Sequence, residues 1–146
     1  DRRLPKEKPR PDERELLEDI AERTWAFFET FAGEGRGYIP PDNFQQEPEK
    51  RPAVNTSPTN IGMAMAAAVS AAELGLITAD ELEKRLSGTM DTVDKMQKWH
   101  GHLYNWYRTD TLEVMRPRYV STVDSGNFCA CLITGSMALR AVKFVV

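Results

Sequence analysis

The spacing of apolar positions divides the chain into four helical stretches and two long irregular ones. Leu16, Leu17, Ile20, Ala21, Trp25 and Phe28 recur every three or four residues, which predicts an amphipathic helix over 12–32. Asp12 is placed to cap it, with Glu15 three residues on, and Gly33 to end it. A second helix is predicted through Asn60–Leu74. Thr56 or Ser57 caps it, Pro58 occupies its first turn and Gly75 follows its last. Its residues 61–72 are apolar nearly all round. Thr78 and Glu81 suit a capping box for a third helix, in which Leu82, Leu86, Met90, Val93 and Met96 form one stripe. Asp80, Glu83, Lys84, Asp91 and Lys95 of that helix are expected to face water. Asp124 or Ser125 opens the fourth, which reaches the C-terminus and is again apolar nearly all round at 128–139.

Between these lie residues 33–57, broken by Gly33, Gly35, Gly37, Pro40, Pro41, Pro48 and Pro52, and residues 99–124. Loops of such length are usually functional or disordered. Tyr119–Val123 could be a short strand or an extended lead-in. The two amphipathic helices read as outer and the two apolar ones as inner. Consecutive helices alternate in direction, so both long loops fall at one end. This is the pattern of a double-layered helical toroid, and it predicts an all-α fold. Two wholly apolar helices are more than a small domain hides. The chain is therefore expected to be a piece of something larger or to oligomerise.

Composition narrows the classes. With 146 residues, 41% hydrophobic and 28% charged, the chain is globular and suits one domain. Residues 1–11, rich in proline and charge, read as a flexible arm with no signal-peptide core. A net charge of −3 argues against nucleic acid. Arg140 and Lys143 interrupt the last apolar run, which falls short of the roughly 20 nearly uncharged residues a membrane span requires. No transmembrane segment is expected.

Four polar motifs sit in the loops or at the starts of the inner helices. They are Pro40-Pro41-Asp42-Asn43-Phe44-Gln45, Thr56-Ser57-Pro58-Thr59-Asn60, His102 to Tyr107, and Asp124-Ser125-Gly126-Asn127. Seven of the 13 aromatic residues lie in the same loops: Tyr38, Phe44, Trp99, Tyr104, Trp106, Tyr107 and Tyr119. Aromatic planes accept the C–H faces of a sugar, and amides and carboxylates accept or donate to its hydroxyls. The opposing reading is that the rings plug the loops and that Asp124 and Thr56 only cap helices. Glycoside chemistry uses a pair of carboxyl groups. Asp42 and Asp124 are the loop acids flanked by sugar-type residues, with a further acid expected beyond residue 146. His100 and His102 alone do not make a metal site, and no metal or cofactor is expected. Cys129 and Cys131 point to different sides of a helix and read as small hydrophobes. Asn55-Thr56-Ser57 matches a glycosylation sequon too short to carry weight.

The motifs also occur in a familiar order. Trp25-Ala-Phe-Phe-Glu-Thr-Phe, the Asp42 motif, Thr56-Ser-Pro-Thr-Asn-Ile-Gly62, Gly101-His-Leu-Tyr-Asn-Trp-Tyr107 and Pro117-Arg-Tyr-Val-Ser-Thr-Val-Asp-Ser-Gly-Asn127 follow one another. Together, over about residues 20–140, they resemble the glycoamylase-like domain of cyclic β-1,2-glucan synthases and related bacterial proteins. The resemblance implies two α-hairpins of an (α/α)6 toroid, with residues 12–146 its N-terminal portion. It implies a parent that hydrolyses or transfers glucosyl bonds, as in closing a β-1,2-glucan ring. The parent would be cytoplasmic or membrane-associated, as part of a larger bacterial protein. Carried over by position, Asp42, Asn43, Asn60, His102, Asn105, Trp106, Tyr107, Arg118, Tyr119 and Asn127 fall on the sugar-binding face, with Asp124 the candidate catalytic acid. The expected partner is a glucan oligosaccharide or polysaccharide. A second copy, or further domains, would cover the apolar helices. The rival expectation is a non-catalytic glucan-binding or helical interaction module. A third is a stand-alone four-helix oligomer whose loops only pack.

Overall fold

The computed structural model describes residues 10–143. Most of the expected N-terminal arm, residues 1–9, lies outside the described residues, as do the last three of the predicted fourth helix. The four helices are α1 (Pro11–Phe31), α2 (Pro58–Glu73), α3 (Ala79–Lys95) and α4 (Thr122–Lys143). Seven short strands run between them: β1 (Phe44–Gln45), β2 (Arg51–Pro52), β3 (Asn55–Thr56), β4 (Lys98–Trp99), β5 (His102–Leu103), β6 (Asn105–Arg108) and β7 (Val114–Tyr119). They form three small antiparallel sheets, β1–β2, β3–β6–β7 and β4–β5.

The expectation of an all-α pair of hairpins from an (α/α)6 toroid is thereby overturned, because the fold is mixed α/β. The physical reason lies in the backbone. Asn105 and Tyr107 are buried where the second long connection crosses the core, and buried N–H and C=O groups must find partners. Strands β3 and β7 supply them from either side of β6. The prolines that read as breakers occupy places where a strand tolerates them. Pro52 ends β2, and Pro117 lies in β7, an edge strand.

Local signals explain the helix limits. Ser57 Oγ accepts from Asn60 N at 3.2 Å and Thr78 Oγ1 from Glu81 N at 3.2 Å, the expected caps of α2 and α3. Gly75, with φ +75°, follows α2 in the left-handed conformation that ends helices. Two starts differ from expectation. Pro11 takes the first position of α1, and Glu13 accepts from Arg10 N at 2.9 Å, so the helix opens ahead of Asp12. Ser121 accepts from Asp124 N at 3.1 Å and opens α4 three residues before Asp124.

The core forms around α2. Ile61, Met65, Ala68 and Ala71 are buried among Trp25 of α1, Leu82, Leu86 and Val93 of α3, and Phe128 of α4. Fully burying one such aliphatic side chain contributes roughly 1.5–3 kcal/mol. Helices α2 and α4 pack tightly at Gly62, where a Cβ would stand 3.1 Å from Cys131 Cβ and 3.2 Å from Phe128 Cα. The first loop begins inside this core. Tyr38, Ile39, Pro40 and Pro41 are buried, and the Tyr38 ring crosses Gly88 where no Cβ would fit. Arg85 binds this corner together, its guanidinium 4.8 Å from the Trp25 ring and 2.7 Å from Glu81.

Candidate functional site

Strand β3 leads directly into α2, and Ser57 fixes the first turn. Ahead of it, Asp42 is anchored by its backbone N–H, which donates to Asn55 O at 2.8 Å. The Asp42 carboxylate then accepts from Asn60 Nδ2 at 2.9 Å and from Asn43 Nδ2 at 3.0 Å. Three of the residues read from the sequence, 18 positions apart, therefore meet at the N-terminus of α2. Asp42 and Asn43 remain exposed and Asn60 is half-buried. A helix start offers free N–H groups and a positive end, and both favour a carboxylate there.

The start of α4 converges on the same place. Asn127 Nδ2 donates to Thr59 Oγ1 of α2 at 3.1 Å. Asp124, half-buried in the first turn of α4, sits among the hydroxyls of Ser121, Thr59 and Ser57 and the backbone N–H of Thr59. Burial pushes the Asp124 carboxyl upward, but these donors outweigh it and hold its pKa below the usual carboxylate value. At neutral pH the group is an anion. That suits an acceptor for hydroxyl groups, a base or a nucleophile, and not a proton donor.

The remaining predicted residues lie on the sheets. Asn105 is buried and donates through Nδ2 to the Tyr119 hydroxyl at 3.2 Å, while its Oδ1 has no protein partner among the described residues. Tyr107 is fully buried. Its hydroxyl donates to the Gln97 carbonyl and accepts from Tyr104 N at 2.7 Å, and burial pushes its pKa up to about 12. It is a core plug, set there by strict alternation along β6, where Asn105 and Tyr107 face inward and Trp106 and Arg108 are half-exposed. Arg118 and Tyr119 are exposed on the edge strand β7. His102 is exposed opposite Trp99 in the β4–β5 hairpin, whose turn is His100-Gly101. The sequence did not single out Ser57, Ser121 and Thr59 as partners of Asp124. The available signal was a hydroxyl residue at each helix start.

Among the described residues, no group of three or more His, Cys, Asp or Glu could hold a metal ion. Cys129 is exposed, and Cys131 packs against Gly62. The cavities lie away from the carboxylates. One of about 510 Å³ runs between α3 and α4 beside Leu86, Met90, Leu132 and Leu139. Another, of about 300 Å³, lies between α1 and α2 beside Trp25, Phe28 and Met63. Both are mainly apolar. The carboxylate cluster is a surface, not a closed cleft.

The fold is that of part of a glucoamylase-like domain. Two solved structures described as glucoamylases share it, each at 15% identity. The Bacteroides fragilis protein matches with a TM-score of 0.69 over 86% of this chain and 32% of its own. The Bacteroides caccae protein matches with a TM-score of 0.72 over 89% and 35%. By sequence, residues 19–131 match the family described as Protein of unknown function (DUF3131), and the chain belongs to that family. It is also 48% identical over 126 residues to the cyclic β-(1,2)-glucan synthase NdvB of Rhizobium meliloti, matching 86% of this chain. The resemblance read from the motifs, to a glucoamylase-like domain of glucan synthases, therefore holds. The chain spans about 4% of the length of that synthase and about a third of the solved structures. Among the described residues no helix is long and apolar enough to cross a membrane.

Proposed function

We propose that the chain is a portion of a glucan-acting hydrolase or transglycosylase and supplies one wall of its sugar-binding site, with a β-1,2-linked glucan as the ligand. The observation that carries this reading is the meeting of Asp42, Asn60, Asp124 and Asn127 at the N-terminus of α2. Two anchored carboxylates with amide neighbours suit a ligand that presents many hydroxyls and no charge. Arg118, Tyr119, Trp106 and His102 extend the wall along the sheets, with Asn43 at its edge. Similarity to the glucan synthase supports the choice of ligand.

Asp124 is the candidate catalytic group. Its lowered pKa suits the ionised partner of a carboxyl pair, so the protonated partner is assigned to another part of the longer protein. The same longer chain would cover the exposed apolar residues Leu16, Leu17 and Ile20 of α1 and Ile133 and Met137 of α4. A second copy of the chain is the alternative cover. The open form of the carboxylate surface favours a second reading of the site, a module that binds glucan without acting on it.

Linear β-1,2-glucose oligosaccharides should change the fluorescence of Trp106 and Trp99. Asp42→Ala should weaken that binding about tenfold or more, the loss of one charge-assisted hydrogen bond. No response to the oligosaccharides would overturn the sugar reading. In the longer natural protein, Asp124→Asn should remove turnover and keep binding. Retained turnover would leave the binding module standing.

A further inference from the structure

The inference rests on the sugar reading of the sheet wall and concerns Asn105, which that wall does not include. Asn105 lies opposite Tyr119 in the β6–β7 pairing. Directly opposed side chains share one face of a sheet. Asn105 is 4% exposed and Tyr119 44%. A hydrogen bond joins them, from Asn105 Nδ2 to the Tyr119 hydroxyl oxygen at 3.2 Å. Asn105 Oδ1 is buried and has no partner among the described residues. A buried amide with its oxygen unpaired costs the fold free energy, and an apolar side chain of the same shape avoids that cost. Packing therefore gives no reason for an asparagine at this position. Its side chain reaches the surface through the Tyr119 hydroxyl alone.

What that contact does follows from the phenol. A phenolic oxygen can accept, and its single proton can be donated. With Asn105 donating to the oxygen, the proton is left for a different acceptor. We infer that Asn105 is a positioning residue, whose buried amide holds the exposed Tyr119 hydroxyl as a hydrogen-bond donor toward bound ligand. A committed donor selects an oxygen that carries no proton. In a neutral sugar those atoms are the ring oxygen and the linkage oxygen. The carboxylates of Asp42 and Asp124 are acceptors and suit the sugar's hydroxyl protons. Tyr119 addresses the oxygens that those carboxylates cannot.

The first test needs no sugar. In proton–nitrogen NMR spectra of the full chain, Tyr119→Phe should move one Asn105 side-chain amide proton upfield and speed its exchange with water. Unmoved amide protons overturn the inference, because the phenol oxygen is then not their acceptor. The second test is a double-mutant cycle on calorimetric affinity for linear β-1,2-glucose oligosaccharides. Tyr119→Phe should weaken binding about fivefold, the loss of one neutral hydrogen bond. Asn105→Asp keeps the shape and can only accept at neutral pH, so it turns the phenol proton inward. It should weaken binding as much as Tyr119→Phe does, and no further when the two are combined. Asn105→Leu buries no charge and answers the question if Asn105→Asp does not fold. It should give a smaller loss, again absent in the Tyr119→Phe background. Equal losses from Asn105 variants with and without the Tyr119 hydroxyl would mark a purely structural asparagine and overturn the inference. No heat of binding from the wild-type chain overturns the sugar reading, and a moved Asn105 amide proton then still keeps the orientation of Tyr119.

Discussion

Helices α2 and α4 have similar apolar sequences and very different surroundings. In α2, Ile61, Ala64, Met65, Ala68 and Ala71 are buried by three neighbouring helices, and Met63 is the large apolar side chain left exposed. In α4, Phe128 is buried while Val123, Ile133 and Met137 are 70%, 63% and 66% exposed. An all-round apolar helix states that every face is to be covered. It does not state by what. For α2 the cover lies within these residues, and for α4 only one side of it does. The two helices meet at their starts, so the half-covered one contributes Asp124 to the same surface that the enclosed one builds with Asn60.

Truncating each helix at its most apolar position separates the two most strongly. Ile61→Ala should destabilise the chain by about 2–5 kcal/mol, because Ile61 is fully buried and the cavity stays. Ile133→Ala should change stability by no more than about 0.5 kcal/mol. Urea unfolding compares them, and equal losses would show that α4 is already covered. The glycines give the next contrast. Gly62→Ala places a methyl 3.1 Å from Cys131 Cβ and against the α4 backbone, an overpacking cost of roughly 1–3 kcal/mol. Gly135→Ala meets nothing closer than the flexible Met65 Cε at 3.5 Å and should gain up to about 1 kcal/mol from helix propensity. The cap of α2 comes next, since Ser57→Ala should cost about 1 kcal/mol in the same assay.

The smallest effect is a pH dependence at the junction itself. The folded-state pKa of Asp124 lies below its ordinary value of 3.8. Its ionised form is therefore favoured by the fold, and the resulting stability is present above pH 3.8. It is lost as pH falls through the lower folded value. Thermal melts across that acid range should show a shallower loss in Asp124→Asn than in the parent. Parallel curves would remove the donors around Asp124 from the account.

The helices were legible because their signals are local. Ser57, Gly75 and Thr78 act within one turn, and the stripe from Leu82 to Met96 repeats along a single element. The strands were not legible, because five of the seven are two residues long and exist only through a partner elsewhere. The one strand the sequence offered, at Tyr119–Val123, is met only at Tyr119, where β7 ends, since α4 begins at Thr122. The site was legible as a set of residue types and not as contacts. Asp42 meets Asn60 over 18 positions and Asn127 meets Thr59 over 68, distances at which sequence carries no geometry. Tyr107 shared a motif with Trp106, and only the pleat separates the inward ring from the half-exposed one.

The β3–β6–β7 sheet has a consequence for how the carboxylate surface tolerates change. Strand β3 hands the chain to α2 at Ser57, and β7 hands it to α4 at Ser121, with β6 between them. The two helix entrances are thus held by strands on opposite sides of β6, each about 4.8 Å from it. Such a gauge moves in whole steps. Side chains on either entrance can be exchanged without altering the interval. Losing the β6 pairing would move both entrances at once.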